Sequence, residues 1–135
     1  MQHYKLNITE LPTYIDGKYE VYKIKQTDDL RPKEYIECTK KTGYFDELSI
    51  SDAIKFANES RQQKIVKKIR ISQDKNIDSL SVLKIDKSFY KVFNAYHFTN
   101  NNGFKQSDIT LEEYKNYKFK KDLLWKMNIY QKTNL

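Results

Sequence analysis

The sequence has few of the residues on which most catalytic and metal-binding motifs depend. It contains one cysteine, two histidines, three glycines and two prolines among 135 residues. A lone Cys38 excludes an internal disulfide and paired-cysteine zinc motifs, and the distant His3 and His97 form no metalloprotease signature. Three glycines cannot supply a glycine-rich phosphate loop, and no nucleophile elbow is present. The sequence therefore predicts no cofactor, no metal and no enzymatic activity.

Long hydrophobic runs are also missing. No stretch approaches the roughly 20 apolar residues that a membrane-spanning helix needs, and the first ten residues contain no signal-peptide core. A lone cysteine is typical of a reducing compartment. We therefore expect a protein that is soluble in the cytoplasm of the cell that makes it and has no membrane partner.

Basic and aromatic residues, in contrast, are abundant. The net charge is +7, and 11 tyrosines and 7 phenylalanines accompany one tryptophan. Arg61–Arg70 carries five basic residues and no acid, and Glu113–Leu135 carries six lysines and two acids. A basic run forms either a solvated face or a contact for an acidic partner such as nucleic acid. The tyrosines fit either burial against partner subunits or a small β domain with amphipathic outer faces.

The stretch from Lys64 to Leu111 indicates the fold class. Its β-branched and aromatic runs are separated by short polar breakers, so we expect antiparallel strands in a meander, because a parallel crossover needs a dozen or more residues. The predicted strands here are Lys64–Ser72, Leu80–Ile85, Phe89–Phe98 and Lys105–Leu111. The predicted core residues are Ile65, Ile69, Ile71, Val82, Leu83, Ile85, Phe89, Val92 and Phe93.

The N-terminal half adds three predicted strands and one helix. The strands are Gln2–Thr9, Tyr19–Lys25 and Glu34–Thr39, and Lys40–Ser49 is predicted to be a loop. A capping serine and apolar residues at helical spacing predict a short helix over about Ser51–Glu59. Such a short helix has marginal stability in water, so we expect it to pack against another surface.

The composition changes after the last predicted strand. The tail is rich in lysine, tyrosine and asparagine, and Leu123, Met127 and Tyr130 lie at helical spacing. We therefore predict a β domain over residues 1–112 and a basic, tyrosine-rich arm over residues 113–135, extended or partly helical.

The meander resembles the C-terminal half of small phage head-tail joining proteins, also called head-closure, stopper or adaptor proteins. The similarity lies in Ile69-Arg70-Ile71, the acidic loop Gln73–Asp78, the strand Ser81–Ile85, the turn Asp86–Ser88 and the strand Phe89–Phe93. Asp108–Glu112 matches the family's usual last strand. The resemblance covers roughly Tyr4 to Glu112 and implies a small antiparallel β-barrel with one short helix in a long insertion.

The resemblance also implies a structural function in the virion. Such a subunit forms a homo-oligomeric ring in the phage neck, between the portal and adaptor proteins on the head side and the tail-terminator and tail proteins on the tail side. The ring retains the packaged double-stranded DNA, which it contacts weakly and non-specifically, and it is assembled in the host cytoplasm. The insertion Lys40–Gln63 corresponds to the segment that reaches into the channel.

Two sets of residues follow from this reading. The candidates for facing the channel or DNA are Lys40, Lys41, Tyr44, Phe45, Ile54, Arg61 and Lys64. The candidates for subunit contacts are Tyr90, Tyr96, Tyr114, Tyr117, Phe119, Leu124, Trp125 and Tyr130.

Two other functions remain open at this stage. Strand number, tyrosine content and charge also fit an OB-like module that binds single-stranded nucleic acid. A phage inhibitor that binds a host protein through a tyrosine-rich surface is the other alternative.

Overall fold

The structure is a computed structural model that describes residues 11–60 and 64–123. The predicted first strand, Gln2–Thr9, lies outside the described residues. The described elements are β1 (Gly17–Gln26), β2 (Glu34–Leu48), α1 (Asp52–Ala57), a 3₁₀ turn (Asn58–Ser60), β3 (Ile65–Ser72), β4 (Ser81–Ile85), β5 (Ser88–Thr99) and β6 (Lys105–Glu113). The prediction of a mainly β chain with a short helix is therefore confirmed.

The six strands form one closed barrel in the order β1-β2-β3-β6-β5-β4. Every neighbouring pair is antiparallel. Closure leaves each of these strands with two neighbours over part of its length, which removes most of the edge that an open sheet would expose. The predicted antiparallel β-barrel is confirmed.

The strand order corrects the predicted meander. β3 lies between β2 and β6 and does not pair with β4, so β3, β6, β5 and β4 form a Greek key. The connection between β3 and β4 buries Ile77 completely and anchors it in the core. This residue lies in the polar stretch Gln73–Ser79, which is one of the breakers expected between the predicted strands Lys64–Ser72 and Leu80–Ile85.

The predicted loop Lys40–Ser49 is mostly strand, which is a second correction. β2 continues through Leu48, pairing first with β1 and then with β3. The strand bends at a bulge, where Val21 pairs with Lys41 and Tyr22 pairs with Cys38. Lys40 has a φ of 64° there. A bulge inserts unpaired residues and turns the strand, so the polar sequence at this point does not end it.

The barrel interior contains most of the predicted core. Ile65, Ile69, Ile71, Leu83, Ile85 and Val92 are buried, and Phe45, Ile109 and Leu111 join the same core. Val82 and Phe89 are buried in a second cluster, and Phe93 is the predicted core residue that is not buried, with 47% of its surface exposed. It lies where the pairing of β5 with β6 shifts between Val92 and Asn94. Val92 points into the core, so ordinary alternation along the strand places the adjacent Phe93 on the outer face.

The helix begins as predicted but docks less than expected. Ser51 caps α1 by accepting a hydrogen bond from the Ile54 amide at 3.3 Å. None of the helix residues is buried. The segment is tethered instead by Asn58, whose side chain donates to the Ile65 carbonyl at 2.7 Å and accepts from its amide at 3.0 Å. Asn58 therefore joins the helical connection to the start of β3.

Candidate interaction surfaces

A second apolar cluster covers part of the outer barrel wall. Tyr22, Ile36, Val82 and Phe89 are buried there although they lie outside the central core. They are covered by residues 114–119, here called the strap, which follow β6 directly. Burial of apolar residues on the outer side of a barrel requires such a cover, because each buried aromatic side chain removes a large apolar surface from water.

The strap is held by aromatic contacts and one backbone hydrogen bond. The ring centroids of Phe89 and Tyr117 lie 4.3 Å apart, and those of Phe89 and Phe119 lie 6.0 Å apart. The Ile36 amide donates to the Lys118 carbonyl at 2.8 Å. Tyr117 and Phe119, predicted to contact other subunits, therefore contact their own barrel.

A pocket of about 500 Å³ opens between the strap and the β4–β5 turn. Phe89, Tyr90 and Tyr117 form its aromatic part, and Lys87 and Lys115 stand among its lining residues. Glu113 also lines it and lies 3.5 Å from the Lys115 ammonium. Tyr114 lines the pocket as well, and burial, followed by the negative charge of Glu34, raises its pKa. The pocket therefore combines apolar walls with a mainly positive rim.

A second groove of about 680 Å³ separates α1 from the barrel wall. Ile54 and Ala57 line its helix side, and Ile65, Lys68 and Thr110 line its strand side. On the helix, Phe56 exposes 76% of its surface. The connection between β2 and β3 thus presents apolar side chains on a segment that stands away from the barrel.

A row of stacked side chains crosses the outer face of β3, β6 and β5. The rings of Tyr96 and Phe98 are stacked with centroids 5.4 Å apart, and the Arg70 guanidinium lies 5.2 Å from the Phe98 ring. Asp108 accepts two hydrogen bonds from Arg70, at 2.7 and 3.0 Å. The hydrogen bond to Asp108 is the main reason why the pKa of Arg70 is raised. The arginine charge is therefore already paired.

One serine–histidine contact resembles a catalytic pair, but its serine is inaccessible to a substrate. The Nδ1 atom of His97 lies 2.6 Å from the Ser107 hydroxyl. Ser107 is completely buried and also accepts a hydrogen bond from the Asp74 amide at 3.3 Å. A nucleophile must reach its substrate, and the buried Ser107 hydroxyl cannot. Its hydrogen bond with the Asp74 amide instead holds the β3–β4 connection in place.

The predicted channel-facing residues do not form one surface. Phe45 lies in the core with 3% exposure, so its assignment to a channel is wrong. Tyr44 and Lys40 are exposed on β2, Ile54 is half-buried on α1, and Lys64 is exposed before β3. Lys41 contacts the buried carboxylate of Asp74 at 2.6 Å, although the geometry is not that of a hydrogen bond. Arg61 lies outside the described residues.

The predicted subunit contacts divide into four groups. Tyr90 packs against the core, and the Lys67 ammonium lies 5.9 Å from its ring. Tyr96 exposes 60% of its surface, and Tyr114 packs with the strap against the outer cluster. Leu124, Trp125 and Tyr130 lie outside the described residues, and the division of the chain after residue 112 stays a prediction.

Within residues 11–60 and 64–123, no group of three or more histidine, cysteine, aspartate or glutamate side chains is placed to hold a metal ion. Over the same residues, no helix has the length and apolar character needed to cross a bilayer. The sequence matches no model of a known protein family and no curated protein.

Proposed function

We propose that this protein is a structural component of the phage neck, a head-completion subunit that forms a ring between portal-adaptor and tail proteins. The ring would retain the packaged DNA and provide the attachment site for the tail, in the virion after assembly in the host cytoplasm. The proposal rests on the family resemblance of the sequence together with the β2–β3 connection of the barrel.

The β2–β3 connection is the observation that carries this proposal. Six residues of helix are too few to be stable alone in water, and this helix buries none of its residues. Phe56 is largely exposed, while Asn58 fixes the segment to β3. A tethered helix with an exposed phenylalanine is suited to docking on a neighbouring protein. A segment that reaches into the channel of a ring needs such a contact.

The charges of the described residues are compatible with a weak contact to DNA. Lys40 and Lys64 are exposed, but Arg70, Lys41 and Lys67 are already paired with carboxylates. DNA affinity that depends on free lysines falls as salt rises, because binding releases counterions. A channel through which DNA must pass benefits from this weak, salt-sensitive contact.

The experiment is a nonsense mutation of the gene in the phage that encodes it, followed by electron microscopy of the particles. We expect heads that have lost DNA and tails that remain unattached. Plasmid expression of the intact chain should restore complete virions, and antibodies should label the neck. Normal virions from the nonsense mutant would overturn the proposal.

The β2–β3 connection is tested by complementation with single variants. Phe56→Ser should lower the yield of complete virions at least tenfold, whereas the matched control Lys55→Ser on the same helix should complement fully. Equal complementation by both variants, with equal protein levels, would remove this segment from the assembly surface.

A second candidate function is binding of single-stranded nucleic acid, favoured by the exposed stack of Tyr96 on Phe98. Aromatic faces stack with bases without sequence preference. Fluorescence anisotropy with a labelled oligonucleotide tests this function. Submicromolar affinity that Tyr96→Ala reduces at least tenfold would support it, and negligible binding at low salt would exclude it.

A further inference from the structure

The loop between β1 and β2 projects an apolar residue that its own chain does not cover. Leu30 is completely exposed, at 104% of its reference surface. The neck of the loop is closed by a hydrogen bond from the Thr27 amide to the Lys33 carbonyl at 3.1 Å and by one from the Lys33 amide to the Thr27 hydroxyl at 3.0 Å. These two hydrogen bonds fix the base of the loop that carries Leu30. A fixed base lowers the entropy that the loop loses when Leu30 binds a partner.

The charges around Leu30 are arranged asymmetrically. Asp28 and Asp29 precede it and Arg31 follows it, and all three are exposed. Across the described part of the chain, neither aspartate forms an ion pair. The tip is thus an apolar knob with two free acids on one side and one base on the other.

The aromatic pocket beside the strap has the complementary features. Phe89 and Tyr117 offer apolar walls, Lys87 and Lys115 offer positive charge, and Glu113 offers one negative charge. Its volume of about 500 Å³ exceeds what a leucine side chain needs. Lys115 and Glu113 pair only at 3.5 Å, and Lys115 remains 81% exposed, so a partner can compete for both charges.

Knob and pocket lie at opposite ends of the β1–β4 pair. Lys23, near the end of β1 that leads to the knob, pairs with Ser81 at the start of β4. Glu20 pairs with Lys84, close to the turn that carries Lys87. A knob at one end and a pocket at the other are the arrangement that a head-to-tail contact between copies requires, and such contacts close into a ring when the rotation permits.

We propose that Leu30 of one copy inserts into the pocket lined by Phe89 and Tyr117 of the next copy. Asp28 and Asp29 then pair with Lys87 and Lys115, and Arg31 pairs with Glu113. This inference rests on the proposed ring and specifies one contact within it.

Disulfide trapping between two differently tagged full-length chains tests the contact. Both chains carry Cys38→Ser, because Cys38 is free and exposed. One also carries Leu30→Cys and the other Ser88→Cys, at a position that lines the pocket. Under mild oxidation we expect the mixed dimer to exceed either homodimer at least fivefold. The matched control replaces Leu30→Cys with Leu80→Cys, since Leu80 is also exposed, at 57%.

Charge reversal provides the second measurement. Asp28→Lys with Asp29→Lys in the first chain should reduce the mixed dimer at least fivefold, and Lys87→Glu with Lys115→Glu in the second chain should restore it. Equal trapping of Leu30→Cys and Leu80→Cys, or no restoration, would overturn the contact. Rings seen by electron microscopy without this cross-link would leave the neck proposal intact, whereas a cross-link alongside normal virions from the nonsense mutant would refute the neck proposal alone.

Discussion

The phenol ring of Tyr19 lies directly over Gly43 on the neighbouring strand. A Cβ atom added at Gly43 would lie 2.6 Å from Cζ of Tyr19, closer than Cβ atoms in proteins approach non-bonded neighbours. The two residues are a cross-strand pair of β1 and β2, and Tyr19 is buried in the core. Gly43 is therefore required by the tyrosine that it faces, not by a turn.

We predict that Gly43→Ala lowers the free energy of unfolding by about 1–3 kcal/mol, the usual cost of overpacking a core. In a Tyr19→Leu background the same substitution should cost less than half as much, because the smaller side chain leaves room for the methyl group. Urea unfolding of the four proteins measures the coupling. Thr42→Ala, at the preceding exposed position, serves as the control, and strictly additive effects would contradict this account.

The contact of Lys41 with Asp74 gives a second prediction. Asp74 is 8% exposed, and its buried carboxylate oxygen lies 2.6 Å from the ammonium group. Lys41→Met should lower the free energy of unfolding by about 1–3 kcal/mol, because it leaves a buried charge without its cation. Lys40→Met, at the neighbouring exposed position, should change it by less than about 0.5 kcal/mol. Equal effects of the two substitutions would show that the ion pair contributes nothing.

Stability should fall at alkaline pH because of Tyr19. Burial, followed by the negative charges of Asp74 and Tyr14, raises the pKa of Tyr19 from 10.0 to about 12. The unfolded chain therefore loses the phenolic proton at lower pH than the folded chain, so this contribution is complete below pH 10 and is lost as the pH rises toward 12. Urea unfolding between pH 9 and 12 should show a steeper decline for the natural chain than for Tyr19→Phe. Parallel declines would contradict the shifted pKa.

Removal of the strap should destabilise the barrel. A chain that ends at Glu113 exposes Phe89 and the rest of the outer cluster, and we expect a loss of at least about 3 kcal/mol, the cost of removing one packed aromatic side chain. A chain that ends at Leu123 keeps the strap and should retain most of the stability. Thermal unfolding followed by circular dichroism compares the two. A fully stable chain ending at Glu113 would instead support an independent domain that ends near residue 112.

Strand positions were predictable because they depend on local pattern. Alternation of apolar and polar residues placed five of the six described strands within a few residues, and the serine cap placed the helix. The full length of β2 was missed, because its second half is polar and contains a bulge. Phe93 was misplaced because it was assigned to the core together with the adjacent Val92, although neighbouring strand residues point to opposite faces.

The candidate surfaces depended less on local pattern. Aromatic residues after β6 were recognised as contact residues, but the strap shows that Tyr117 and Phe119 cover their own chain. Leu30 carried no signal in the sequence, because a leucine between charged residues is ordinary in a loop. Its significance comes from its complete exposure, which depends on how the β1–β2 loop projects.

The sequence by itself determined a basic, tyrosine-rich, antiparallel β chain with one capped helix, because strand alternation and helix capping are properties of neighbouring residues. Only the tertiary structure decided the strand order, the burial of Phe45 and Ile77, the pairing of Lys41 with Asp74 and the opposite placement of Leu30 and the aromatic pocket. Each of these joins residues that are distant in the chain, and barrel closure, not local preference, brings them together or holds them apart.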